Sequence, residues 1–137
     1  MKLTLDHIAL LVRDLEESAR FYTRLPGIRE VPNPMGGDFI RWFEYGNGQR
    51  FHMQAGDISK THVEKQTHFA FSADDFDAVL AEIEAKGFAF SDMKGTPGAV
   101  NRRPDGMRAI FLQDPNGYWI EINDAAAGVA HPSTGSG

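Results

Sequence analysis

LDHIALLVRDLEESARFY at residues 5–22 and QTHFAFSADDFDAVLAEI at residues 66–83 decide the fold, because both read as a strand running into a capped helix. His7 falls on His68, Ala9 on Ala70, Asp14 on Asp75 and Leu15 on Phe76, at a constant offset of 61. Strand side chains alternate between two faces. In 7–12 one face carries Ile8, Leu10 and Val12, in 68–72 it carries Phe69 and Phe71, and each opposite face begins with the histidine. Asp14 is a good N-cap with Glu17 as its capping-box partner, and Asp75 holds the same place in the second stretch. Leu15, Ala19, Tyr22 and Leu25 then form one helical stripe, and Phe76, Val79, Leu80 and Ile83 the other. Pro26-Gly27 and Gly87 are stop signals, with Gly27 20 residues after His7 and Gly87 19 after His68.

Working outward, three more strands complete each half. FIRWFEY (39–45) and QRFHMQA (49–55) flank Gly46-Asn47-Gly48, a hairpin signal. RAIFLQ (108–113) and YWIEIN (118–123) flank Asp114-Pro115-Asn116-Gly117, which suits a type I turn. The remaining strands are expected near 28–32 and 88–92. The chain is thus an α+β protein of two βαβββ modules, about 4–57 and 65–124, in a single domain over 1–126.

The last strands of the modules align too. Phe-His-Met at 51–53 matches Ile-Glu-Ile at 120–122, so His52 corresponds to Glu121 at an offset of 69. Strand parity sends Phe51, Met53, Ile120 and Ile122 to the helix-covered face and His52 and Glu121 to the other, where His7 and His68 also point. Taken singly, His7 reads as a structural histidine and Glu121 as a solvated strand residue. Together the four read as metal ligands, because polar groups on an inner sheet face are costly unless water or a cation satisfies them. Imidazole nitrogens and a carboxylate oxygen suit one divalent ion of zinc, iron, nickel, manganese or cobalt.

Composition narrows the classes. The 137 residues are 42% hydrophobic and 24% charged, as in ordinary globular proteins. A net charge of −5 leaves no general basic field for nucleic acid or an anionic membrane, although Arg102, Arg103 and Arg108 cluster locally. The absence of cysteine excludes disulfides, thiolate ligands and a thiol nucleophile. Asp6 interrupts any signal-like start, so a cytoplasmic location is expected. The small, polar stretch from Asp124 lacks periodicity. Residues 127–137 read as a flexible tail, 133–137 as a linker, and His131 and His62 as solvated.

With these residues in hand, the sequence resembles the vicinal oxygen chelate superfamily over about 4–124. That superfamily contains glyoxalase I, methylmalonyl-CoA epimerase, extradiol dioxygenases, fosfomycin-resistance thiol transferases and bleomycin-resistance proteins. LDHIALLVRDLEESARFY, QTHFAFSADDFDAVLAEIEAKG and FLQDPNGYWIEI carry the resemblance. It implies a cupped mixed sheet enclosing a metal, with His7, His68 and Glu121 as the core ligands. Isomerases and epimerases of the family have Glu or Gln where this chain has His52, a departure that leaves His52 as a ligand, a base or a lining residue.

The resemblance further implies Lewis-acid chemistry on a small-molecule substrate chelated through two adjacent oxygens, with Glu121 or His52 able to take a proton. A homodimer is implied by the same comparison. The leading expectation is a glyoxalase-like lyase or isomerase. An Fe(II) ring-cleaving dioxygenase stands second, followed by a fosfomycin-type thiol transferase or a non-catalytic drug-binding protein. Arg102 and Arg103, in the Gly- and Pro-rich stretch 94–107, are candidate clamps for a carboxylate or phosphate. Trp42 and Phe111 share the inward parity and are candidate aromatic walls.

Overall fold

A computed structural model of the chain describes residues 1–127. Of the expected tail, residues 128–137, which include His131 and the linker, lie outside the described residues. The chain divides into two compact units, the first Met1–His62 and the second beginning at Val63. No helix among the described residues is long and apolar enough to cross a membrane.

The first unit runs β1 (His7–Val12), α1 (Leu15–Arg24), β2 (Arg29–Val31), β3 (Ile40–Tyr45) and β4 (Gln49–Ala55). Its sheet has the order β1-β4-β3-β2, with β1 parallel to β4 and the other pairs antiparallel. The Asp14 side chain accepts from the Glu17 backbone N–H at 3.0 Å and starts α1. The reciprocal arm of the expected capping box gives way to an ion pair, since the Glu17 carboxylate takes Arg13 at 2.6 Å. Tyr22 of α1 lies 5.1 Å from Phe51 of β4, and Phe51 stacks on Phe43 at 5.2 Å. Val12, Tyr22, Phe43, Phe51 and Met53 are fully buried, as the apolar parity requires. Ser18 joins them on the packed side of α1, a position the apolar stripe did not mark.

The second unit runs β5 (His68–Ser72), α2 (Phe76–Ala85), β6 (Asn101–Arg102), β7 (Arg108–Gln113) and β8 (Trp119–Asn123), followed by a short 3-10 turn at Ala125–Ala127. Its sheet repeats the first topology in the order β5-β8-β7-β6, with β5 parallel to β8. Asp75 caps α2 by accepting from the Ala78 N–H. Gly87, at φ 75°, closes it: Phe88 N–H reaches the Ile83 carbonyl at 3.1 Å and Gly87 N–H the Glu84 carbonyl. This reversal needs a residue without Cβ.

One expected strand is displaced. The segment near 88–92 contributes only isolated bridges at Ser91, to Pro97 and to Phe111, and the edge position is taken by β6 at 101–102. An edge strand of two residues has too little alternation to be read from sequence. Arg102 is therefore a strand residue and not part of a free loop.

Asp124, read from sequence as the start of a polar tail, is 1% exposed. Its carboxylate accepts from the Arg108 backbone N–H at 2.9 Å and from Arg108 Nε at 3.0 Å. Arg108 in turn donates to Asp77 of α2 and lies 4.8 Å from the Phe76 ring. Asp124→Ala should cost roughly 2–3 kcal/mol, because it orphans a backbone N–H and a partly buried guanidinium. Asp124→Asn should cost less, since its amide oxygen still accepts. Urea unfolding measures both, and a loss below about 0.5 kcal/mol for the alanine variant would contradict this role.

Candidate metal site

Register places the candidate ligands. In the first unit His52 lies between Ala9 of β1 and Trp42 of β3. In the second, Glu121 lies between Ala70 of β5 and Phe111 of β7. The repeat thus extends across three strands: small residue, polar residue, aromatic. Facing cross-strand partners share a sheet face, so His7, His52 and Trp42 sit together, as do His68, Glu121 and Phe111.

Among the described residues no three His, Asp or Glu side chains are gathered closely enough to hold a metal ion. Each unit instead brings one pair together. In the second unit His68 Nε2 is 3.2 Å from Glu121 Oε1, with both side chains mostly buried. The rest of each group is committed elsewhere. His68 Nδ1 is 2.8 Å from the Lys65 carbonyl, which can only accept, so the hydrogen is on Nδ1 and the free nitrogen is Nε2. Asn123 donates to Glu121 Oε2 at 2.7 Å and leaves Oε1 facing the histidine. The Nε2 atom of His68 and the Oε1 atom of Glu121 then face each other. A proton or a cation between them can join the pair.

In the first unit the His7 and His52 ring centroids are 5.0 Å apart, and Trp42 lies 4.6 Å from His52 and 5.5 Å from His7. His7 Nδ1 donates to Asp6 Oδ2 at 2.7 Å, again leaving Nε2 free. His52 Nδ1 is buried with no hydrogen-bond partner. Burial first, and the neighbouring His7 second, lower the pKa of His52, which favours the neutral ring that coordinates metals. Each unit therefore supplies donors of the kind a divalent cation takes: two imidazoles in the first, one of them with a nitrogen lacking any partner, and an imidazole and a carboxylate held by outer partners in the second.

The other candidates fall differently. Phe111 is 4% exposed, with its ring 5.4 Å from His68. Arg102 pairs in register with Arg108, on the sheet face opposite Glu121. Arg103 donates to Asp105 at 2.6 Å and to the Met107 sulfur, holding the turn before β7. The structure brings neither arginine to the His68–Glu121 pair. A pocket of about 450 Å³ in the first unit is lined by Asp14, Glu16, Glu30, Asp38, Arg41 and Trp42, among others. Arg41 is tied there to Glu30 and Glu16, and no histidine lines it. Sequence reading missed the orienting partners Asp6, Asn123 and the Lys65 carbonyl. Asn123 alone was legible, being two residues beyond Glu121 on the same face.

Comparison with known proteins shows the family and the fold. Residues 4–122 match the family model described as Glyoxalase/Bleomycin resistance protein/Dioxygenase superfamily. An Arabidopsis thaliana protein described as Glyoxylase I 4 is 24% identical over 125 residues, covering 87% of this chain and 69% of that protein. The structure of Oxidase ChaP-H2 superposes with a TM-score of 0.67 at 25% identity, covering 90% of this chain and 94% of that one. The fosfomycin resistance protein FosX from Mesorhizobium loti shares the fold at a TM-score of 0.65 and 22% identity, covering 90% and 93%. The chain belongs to the Glyoxalase/Bleomycin resistance protein/Dioxygenase superfamily.

Proposed function

We propose that the protein is a metal-dependent lyase or isomerase of the glyoxalase kind, a cytoplasmic enzyme acting on a small molecule chelated through two adjacent oxygens. The observation that carries this reading is the His68–Glu121 pair, a ring nitrogen and a carboxylate oxygen 3.2 Å apart whose remaining atoms are fixed by the Lys65 carbonyl and Asn123. Groups oriented in this way are what a metal ligand set requires. His7, His52, His68 and Glu121 would hold one divalent cation, from modules of one chain or of two. When bound, the cation would supply Lewis-acid polarisation of the chelated oxygens.

The chain's own residues do the rest. Trp42, in register with His52, offers flat apolar surface to the substrate, and buried Phe111, in register with Glu121, keeps water from the second strand pair. Glu121 Oε1 is the carboxylate atom free to take a proton if released from the cation, because Oε2 is held by Asn123. His52 has no partner at Nδ1, and coordination through that atom would satisfy a buried lone pair.

A metal titration followed by mass spectrometry tests the assignment. Wild type should take up about one equivalent of zinc or manganese and melt at a higher temperature with it. Glu121→Ala should abolish uptake. His52→Ala should weaken affinity at least about tenfold, roughly 1.4 kcal/mol, and His52→Gln or His52→Glu should recover part of it. Uptake below about a tenth of an equivalent would remove the metal reading in favour of a ligand-capturing protein. Unchanged affinity in His52→Ala would leave three ligands.

That last outcome would bring forward the second reading, a ring-cleaving Fe(II) dioxygenase. One observation favours it: His7, His68 and Glu121 each have an orienting partner, whereas His52 Nδ1 has none. Two histidines and one carboxylate with open positions suit Fe(II) and oxygen. Oxygen consumption with catechol separates the two.

We also infer a homodimer. Leu3 and Leu5 of the first unit are 100% and 76% exposed, and Leu11 on edge strand β1 is exposed too, which supports burial by a second copy. Light scattering at micromolar concentration should give twice the 15.2 kDa chain mass; a monomer mass contradicts the inference.

A further inference from the structure

Lys65 takes no part in the ligand set, yet its side chain lies against the same sheet face. Its ammonium is 4.8 Å from the Trp119 ring and 5.4 Å from the Phe111 ring. Trp119 is the register partner of His68, and Phe111 that of Glu121. The cation is therefore seated over both aromatic neighbours of the pair, where aromatic faces favour a positive charge.

The remaining bonds of Lys65 leave capacity. Nζ donates to Ser91 Oγ at 2.8 Å and to the Asp92 carbonyl at 2.6 Å. An ammonium has three donors, so one is uncommitted. Among the described residues Lys65 has no ion-pair partner within 4.0 Å. The nearby Asp92 carboxylate is turned to the Thr96 and Gly95 backbone N–H groups, with Lys65 acting on it only at longer range. Both acceptors of Lys65 are neutral. A half-buried cation held by neutral acceptors on a functional face is suited to an incoming anion.

We propose that Lys65 forms an anion subsite beside His68 and Glu121, so that the substrate carries a carboxylate in addition to its pair of adjacent oxygens. A single point charge with one spare donor matches a singly charged group better than a dianion, which collects several donors or a guanidinium fork. The inference rests on the chelation reading for the second half of the substrate, but not for the subsite itself.

The test uses the full chain reconstituted with zinc, which undergoes no redox chemistry, and measures binding by calorimetry. 3,4-Dihydroxybenzoate has adjacent oxygens and a carboxylate; catechol has the oxygens alone. Wild type should bind 3,4-dihydroxybenzoate at least about fivefold more tightly than catechol. Lys65→Met should lose that preference while binding catechol as wild type does, and Lys65→Arg should retain it. Benzoate, which lacks the chelating pair, should perturb the Trp119 indole N–H resonance in wild type but not in Lys65→Met, with or without zinc. A preference that survives in Lys65→Met overturns the subsite. So does an equal loss of both affinities, which would make Lys65 a staple for residues 91–92. Failure of catechol to bind while benzoate still reports on Lys65 would remove the chelation reading and leave the subsite standing.

Discussion

Both sheets are organised by a strand that is hydrogen-bonded on two sides and packed on one face only. Phe51 and Met53 of β4, and Ile120 and Ile122 of β8, are buried at one parity of those strands. Every intervening residue must then point to the other face, and His52 and Glu121 are those residues. A slip of one residue would bury a histidine or a carboxylate in an apolar core, at a cost of several kcal/mol. The apolar core and the candidate site are thus specified by the same constraint.

The second requirement is orientation. Strand parity brings His68 and Glu121 to one face but does not choose which nitrogen or oxygen is free. Outer groups do that: the Lys65 carbonyl holds His68 Nδ1, Asn123 holds Glu121 Oε2, and Asp6 holds His7 Nδ1. His52 stands apart, neutral and without a partner at Nδ1, at the position that matches Glu121 in the other module. A nitrogen donor there is softer and less charged than a carboxylate, which shifts both metal preference and proton affinity.

Much of this was legible in the residues. β1, β5 and β7 begin and end where alternation places them, and both aspartate caps hold their helices. The parity of His52 and Glu121 followed from their apolar neighbours, and Trp42 and Phe111 were placed on the same faces by the same rule. What was not legible lacks a period. β6 has two residues, Asp124 is a lone buried carboxylate after the last strand, and Lys65 precedes β5 in a segment without alternation. Arg102 looked available for substrate because its stretch is rich in glycine and proline, yet pairing with β7 turns it to the opposite face. Contacts made across the fold by single side chains have no local pattern to betray them.

A shared cation would explain why His68 Nε2 and Glu121 Oε1 face each other. X-ray absorption at the zinc edge of the reconstituted protein addresses that atom by atom. With the cation bound, the spectrum should show a nitrogen and oxygen shell at about 2.0–2.1 Å. It should show imidazole multiple scattering from three histidines, and a changed first shell in Glu121→Ala. A spectrum of hydrated zinc without imidazole scattering would contradict it, and the His68–Glu121 contact would then be an ordinary salt bridge.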